Sequence, residues 1–177
     1  MKKTKRITLC AMLLSLALTL SYMERFFPLQ LIVPLPGVKL GLANIVSLVA
    51  LYLLNGKYAY LLLILRCILA SAFGGGITSL IFSITGGTLS MLAMISGRRM
   101  PFLSIYGVSI LGAAAHNIGQ ICAAMLMMHS VYIGAYLPYL LIVALFTGFA
   151  TGAAGSGVLR VLVHIDFKRP LNFPQGG

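Results

Sequence analysis

Long apolar runs, separated by short polar or glycine- and proline-containing stretches, dominate the pattern of this sequence. A helix that crosses a membrane needs about 20 mostly apolar residues. Six segments are candidates: 7–23, 38–55, 58–73, 77–96, 102–128 and 135–163. The stretches between them, such as "NGK", "FGGG" and "SGRRMP", carry turn residues. The pattern predicts an all-α integral membrane protein, a six-transmembrane-helix bundle in one domain (1–165), followed by a short tail (166–177).

The distribution of lysine and arginine predicts how this bundle is oriented. Cytoplasmic loops of membrane proteins carry an excess of these residues. With a cytoplasmic N-terminus, ten of the 13 cations lie inside and two, Arg25 and Lys39, lie outside, while Arg66 falls within the third span. We therefore expect both termini to be cytoplasmic. The basic start also resembles a signal peptide, but no small-x-small cleavage site precedes Glu24, so a retained first helix is expected.

The composition agrees with a membrane protein. The chain is 60% hydrophobic and only 8% charged, whereas soluble domains carry about 25% charged residues. The net charge of +11 does not indicate nucleic-acid binding, because the cations sit at segment ends and form no basic face. The three cysteines, Cys10, Cys67 and Cys122, lie in apolar runs without metal-ligand spacing and are interpreted as buried small residues. We expect neither a metal nor another cofactor.

Polar residues near the start of the second span predict a site on the outer side. Ionisable groups inside a membrane are costly and are functional candidates by default. In a helix, the 4-3-3 spacing of Gly37, Gly41, Asn44 and Ser47 places them on one face, with Lys39 at the outer rim. Two alternatives stay open: Lys39 extends to lipid headgroups, and Asn44 makes an interhelical hydrogen bond.

Two further segments place polar side chains at a similar height. Arg66 lies about 12 Å into the third span, given a rise of about 1.5 Å per residue. In the fifth span, His116, Asn117 and Gln120 share one helix face. The alternatives are a structural hydrogen-bond hub around Arg66 and a polar contact between helices.

These residues together predict an outward-facing pocket for a small molecule with an anionic or carbonyl-rich end. The predicted substrate-binding residues are Lys39, Asn44, Arg66, His116, Asn117 and Gln120. The predicted rim and lid residues are Glu24, Pro36, Gly74, Gly75 and Gly76. The loop 24–37 is apolar and proline-stiffened, so it is expected either to cover the pocket or to lie at the membrane interface.

Small residues recur at helical spacing on three spans. On span four they are Ser79, Ser83, Gly86 and Ser90, and on span six they are Gly148, Gly152 and Ser156. Ala11, Ser15 and Thr19 form such a ridge on the first span. Ridges of this kind allow helices to approach closely. Packing inside the bundle is the simpler interpretation, and contact with a partner membrane subunit is the alternative for the first span.

The residues present argue against several activities. The chain contains only two carboxylates, Glu24 and Asp166, and lacks an aspartate-rich diphosphate–magnesium motif and a phosphate-binding loop ending in Gly-Lys-Ser/Thr. We therefore expect no ATP hydrolysis, no prenyl transfer and no other catalysis. A channel is not indicated either, since no charged rings or carbonyl filter are visible.

The segments "PGVKLGLANIVSLVALYLL", "FGGG", "TGGTLSMLAM" and "AHNIGQ", in this order, resemble the Gx transporter, or heptaprenyl diphosphate synthase component I, family of small bacterial membrane proteins. That family is in turn similar to the substrate-binding subunits of energy-coupling factor transporters. The likeness implies six helices, an external vitamin or precursor as ligand, and partnership with a scaffold (T) subunit and two ATPases. It also implies that Ala11 and Ser15 contact the scaffold.

The favoured hypothesis is thus a substrate-capture subunit in the cell membrane that performs no chemistry itself. Two alternatives are a non-catalytic membrane partner of a prenyl diphosphate synthase or isoprenoid/quinone pathway, and a solitary small-molecule transporter.

Overall fold

The computed structural model describes residues 3–26, 41–74 and 76–165, and within them every regular element is helical. The helices are α1 (Lys3–Met23), α2 (Asn44–Leu53), α3 (Gly56–Ala72), α4 (Gly76–Arg98), α5 (Ile105–Met128) and α6 (Leu137–Ile165). Short 3-10 helices, Glu24–Phe26 and Val131–Tyr136, follow α1 and precede α6. The prediction of an all-α fold is confirmed for the described residues.

Helix length separates the six helices into two groups. Four apolar stretches are long enough to cross a membrane: Thr4–Met23, Gly76–Arg98, Ile105–Met128 and Val131–Leu162. Helix α3 has 17 residues and α2 only 10, which at 1.5 Å per residue makes α2 about half as long as a bilayer core is thick. The chain is thus a multi-pass helical membrane protein, while six crossings and cytoplasmic termini stay predictions.

The start of α2 corrects the predicted second span. Residues 41–43 form a turn, and the helix begins at Asn44 rather than at residue 38. Gly41 has φ +79°, a left-handed conformation that favours glycine, and its carbonyl accepts the Asn44 N–H at 2.8 Å. The predicted helical face shared by Gly41 and Asn44 is therefore wrong. Residues 38–40 of that span lie outside the described part of the chain.

Although short, α2 forms the centre of the bundle. Leu48, Val49, Ala50 and Leu51 are all buried, and α2 contacts α1, α3, α4, α5 and α6. Such burial on every side is what a helix that is apolar all round requires.

Glycines bring α4, α5 and α6 close together, with α5 between the other two. A Cβ atom added at Gly119 of α5 would lie 2.7 Å from the Cα of Gly86 in α4. One added at Gly148 of α6 would lie 2.6 Å from the Cα of Ile110 in α5. Because the residues at these crossings have little or no side chain, the helix backbones can contact each other directly. The small-residue ridges predicted on spans four and six thus pack inside the bundle.

The ridge on α1 behaves differently. Leu13, Ala17 and Ser21 are the buried residues of this helix, whereas Ala11, Ser15 and Thr19 are exposed. The hydroxyl groups of Ser15 and Thr19 form hydrogen bonds within the same helix. Ser15 donates to the Met12 carbonyl, and Thr19 donates to the Ser15 carbonyl. Packing of this ridge inside the bundle is therefore the wrong interpretation for α1.

Arginine–tyrosine contacts hold the bundle at the end where α1 begins and α2 ends. The Arg6 guanidinium donates to the Tyr58 hydroxyl at 3.0 Å and lies 5.1 Å from the centre of its ring. The Arg98 guanidinium donates to the Leu51 carbonyl and lies 4.9 Å from the centre of the Tyr52 ring. These contacts tie α1 to α3 and α4 to α2 at the end predicted to be cytoplasmic.

Candidate functional site

A small cavity lies at the opposite end of the bundle, between the end of α1, the turn before α2, and helices α3, α4 and α5. Its volume is about 10 Å³. This is enough space for about one water molecule. The lining residues are Ser21, Glu24, Gly41, Arg66, Cys67, Ala70, Ser83 and His116. The fold therefore brings an acid, a base and a fixed cation to one place in an apolar bundle.

Glu24 fixes the turn before α2 to the end of α1. It lies in the 3-10 helix that follows α1 and is 6% exposed. Its Oε1 atom accepts the backbone N–H of Gly41, and the N–H of Leu42 at 3.4 Å. Backbone donors aimed at a carboxylate stabilise its charge. The carboxylate that was predicted to be part of the rim or lid thus lines the cavity and helps to build it.

Arg66 is the buried cation of the site. Its side chain is 6% exposed, and its guanidinium donates to the Sγ atom of the adjacent Cys67 at 3.8 Å. Among the residues that the structure describes, Glu24 is the only carboxylate, and it lines the same cavity as Arg66. Buried charges are costly unless opposite charges and hydrogen bonds compensate them. The site therefore combines a buried cation and a carboxylate on one small cavity.

His116 reaches the cavity from α5 because two glycines make room for its ring. A Cβ atom at Gly41 would lie 3.4 Å from the His116 Cδ2 atom, and one at Gly86 would lie 3.0 Å from Cε1 and Nδ1. The ring is 4% exposed and fits between the turn before α2 and helix α4. The side chain thus has little room to change its position.

Three predicted binding residues lie beside the cavity rather than on its lining. Asn44 is 7% exposed, its Nδ2 atom lies 3.0 Å from the position of a Cβ at Gly41, and its Oδ1 atom has no hydrogen-bond partner among the described residues. Gln120 is fully buried against Gly86. Asn117 donates from Nδ2 to the Leu140 carbonyl of α6 at 2.7 Å. The polar face of α5 is thus divided between the cavity and contacts to α4 and α6.

The remaining predicted residues lie elsewhere or outside the described part of the chain. Gly74 and Gly76 form the exposed α3–α4 turn with φ +104° and +68°, and neither lines the cavity. Lys39, Pro36 and Gly75 are outside the described residues.

Sequence reasoning missed Ser21, Cys67, Ala70 and Ser83. Helical spacing held a signal for two of them, since Ala70 is four residues after Arg66 and Ser21 three residues before Glu24. Ser83 belongs to a ridge interpreted as packing, and Cys67 was interpreted as a buried small residue. A small side chain on an apolar helix has no distinguishing pattern until the neighbouring helices are placed.

Replacement of Asn117 by alanine is expected to lower stability while leaving ligand binding intact. The substitution removes the buried hydrogen bond that Asn117 donates to the Leu140 carbonyl. This loss should lower the free energy of unfolding by about 1–3 kcal/mol. Thermal unfolding of the purified variant measures the first effect and ligand titration the second. Loss of binding by a variant that is as stable as the wild-type protein would place Asn117 in the binding site instead.

The family comparison bears on this site directly. A family model described as heptaprenyl diphosphate synthase component I matches residues 13–158. The chain belongs to this family. The matched range contains every lining residue of the cavity, and the family's description implies association with a synthase component. Comparisons with curated proteins and with solved structures found no match.

Proposed function

We propose that this protein is the substrate-capture subunit of an energy-coupling factor type importer in a bacterial cell membrane. The observation that carries the proposal is the small cavity lined by Arg66, Glu24 and His116, at one end of an otherwise apolar bundle. Ionisable side chains inside a membrane protein are costly and are functional candidates by default. The chain would bind its ligand there and perform no chemistry itself.

The position of the cavity supports capture from outside. The cavity lies where α1 ends and α2 begins, and the excess of cations elsewhere in the sequence favours the external side for that end, by the positive-inside rule. The opposite end carries the Arg6–Tyr58 and Arg98–Tyr52 contacts. In this arrangement a ligand enters from outside, and the proposed energising subunits act from the cytoplasmic side.

The exposed ridge on α1 supports a partner in the membrane. Ala11 and Ser15 leave a shallow surface on a helix that contributes few residues to the core. Small residues of this kind allow another helix to approach closely. We assign this face to the scaffold subunit, with two ATPases completing the importer.

A second candidate function rests on the family's description. A protein described as a synthase component would act as a non-catalytic membrane partner of a prenyl diphosphate synthase. This candidate predicts a different partner: the synthase should co-purify, and ATPases should not. A solitary transporter, the third possibility, would catalyse uptake when this chain alone is placed in liposomes.

Affinity purification of the tagged chain from native membranes, followed by protein mass spectrometry, separates these functions. We expect the scaffold and both ATPases to co-purify with the wild-type chain. Ala11→Leu together with Ser15→Leu should remove them, because the larger side chains fill the exposed ridge without touching the core. Met12→Leu, at an exposed position on the same helix, is the matched control. Repeated recovery of a synthase without ATPases would overturn the proposal.

A further inference from the structure

Three cations meet where α1 and α3 begin, at the end of the bundle opposite the cavity. The Arg6 guanidinium donates to the Tyr58 hydroxyl at 3.0 Å and lies 5.1 Å from the centre of the tyrosine ring. Lys5 and Lys57, the residues that precede these two in the chain, are exposed. The contact between Arg6 and Tyr58 therefore concentrates three positive charges at one junction between two helices.

No carboxylate in the described part of the chain offsets these charges. Glu24, the one carboxylate there, lines the cavity at the other end of the bundle. Cations that share a junction repel each other, and an anion placed between them replaces this repulsion with attraction. A guanidinium carries five N–H donors, so Arg6 can serve the Tyr58 hydroxyl and a phosphate oxygen together. The junction is therefore suited to a phosphate group.

An apolar stripe on α3 begins at the same junction. Leu61, Leu65 and Ile68 are exposed and follow Tyr58 at intervals of three, four and three residues, which places them on one helix face. Ile68 is ten residues beyond Tyr58, or about 15 Å at a rise of 1.5 Å per residue. The hydrocarbon core of a bilayer is about 30 Å thick. The stripe therefore covers the depth of one leaflet, with a tyrosine and the cations at its headgroup level.

We propose that this α1–α3 junction binds one anionic phospholipid, with the phosphate among Lys5, Arg6 and Lys57 and the acyl chains along the α3 stripe. Cations beside an anionic leaflet attract its lipids, and here they adjoin an apolar surface as a headgroup adjoins its acyl chains. An acidic protein segment would use the cations but not a stripe at membrane depth. The junction is apart from the cavity, so the inference does not depend on the proposed function.

Native mass spectrometry of the purified full-length chain, released from detergent micelles, tests this site. Phosphatidylglycerol and phosphatidylcholine with the same acyl chains are added at equal concentrations. We expect one phosphatidylglycerol per chain, at an occupancy about fivefold or more above that of phosphatidylcholine. Neither sn-glycerol 3-phosphate nor a hexaglutamate peptide should displace it at the same concentration. Displacement by the first would show a site for free phosphate, displacement by the second would show a site for an acidic segment, and either result would overturn the proposal.

Lys5→Gln together with Lys57→Gln should remove the preference for phosphatidylglycerol while leaving the arginine–tyrosine contact in place. Arg99→Gln together with Arg160→Gln is the matched control, because it removes the same charge from exposed positions at the same end of the bundle and should keep the preference. Lys5→Arg together with Lys57→Arg should keep it as well. An equal loss in the two glutamine variants would show diffuse attraction instead of a site. That result would overturn the proposal, and so would an unchanged preference when both lysines are glutamine.

Discussion

Replacement of Glu24 by alanine is expected to lower the free energy of unfolding by about 2–4 kcal/mol. Charge-assisted hydrogen bonds contribute about 1.5–3 kcal/mol each, and one of the two that Glu24 accepts is long. The carboxylate accepts the N–H groups of Gly41 and Leu42. Without it, both donors lose their acceptor in a buried place. The effect should be large, since the turn these donors belong to leads into α2, the central helix of the bundle.

Reversible unfolding of the purified protein in mixed micelles, followed by circular dichroism, measures this loss. Glu24→Gln is the matched control: it keeps an acceptor oxygen of the same reach and loses only the charge, so it should fall between the wild-type protein and the alanine variant. Equal stability of the wild-type and alanine proteins would show that the Glu24 contact does not hold the start of α2.

The second large effect is expected at the crossing of α4 and α5. A Cβ atom at Gly119 would lie 2.7 Å from the Gly86 Cα and 2.8 Å from the Thr85 carbonyl oxygen. Both are backbone atoms, so the helices must separate rather than a side chain rotate. Overpacking typically costs about 1–3 kcal/mol, and Gly119→Ala should lie at or above the upper end of that range.

Gly157→Ala provides the control for this substitution. Gly157 is also in a helix, but nothing lies within 4 Å of an added Cβ atom, and alanine is about 1 kcal/mol more favourable than glycine in a helix interior. This variant should unfold at the wild-type temperature or slightly above it, while Gly119→Ala unfolds clearly below. Equal midpoints for the two variants would contradict the close crossing.

The sequence predicted the long helices well, because length and apolar composition alone determine them. Segments 77–96 and 102–128 correspond closely to α4 and α5. The start of α2 could not be predicted in this way. It depends on the left-handed Gly41 and on Glu24, which is 17 residues earlier in the chain. Apolar residues before Asn44 extend the hydrophobic pattern beyond the helix.

The residues of the candidate site also differ in how far the sequence could predict them. Arg66 and His116 were identifiable because ionisable residues in an apolar helix are rare, and both line the cavity. Asn117 has the same sequence signal but bonds the Leu140 carbonyl, a contact that depends on where α6 lies. Which member of a polar cluster faces a cavity is decided by the neighbouring helices, and a single helix pattern does not contain that information.

The central claim is that the cavity around Arg66 binds a small molecule. Mass spectrometry of the small molecules released by denaturing the wild-type and Arg66→Gln proteins, purified in parallel from native membranes, tests it most directly. We predict one compound, recovered in near-stoichiometric amount from the wild-type protein and absent from the variant. The same small-molecule profile from both proteins, with the variant folded, would contradict the account.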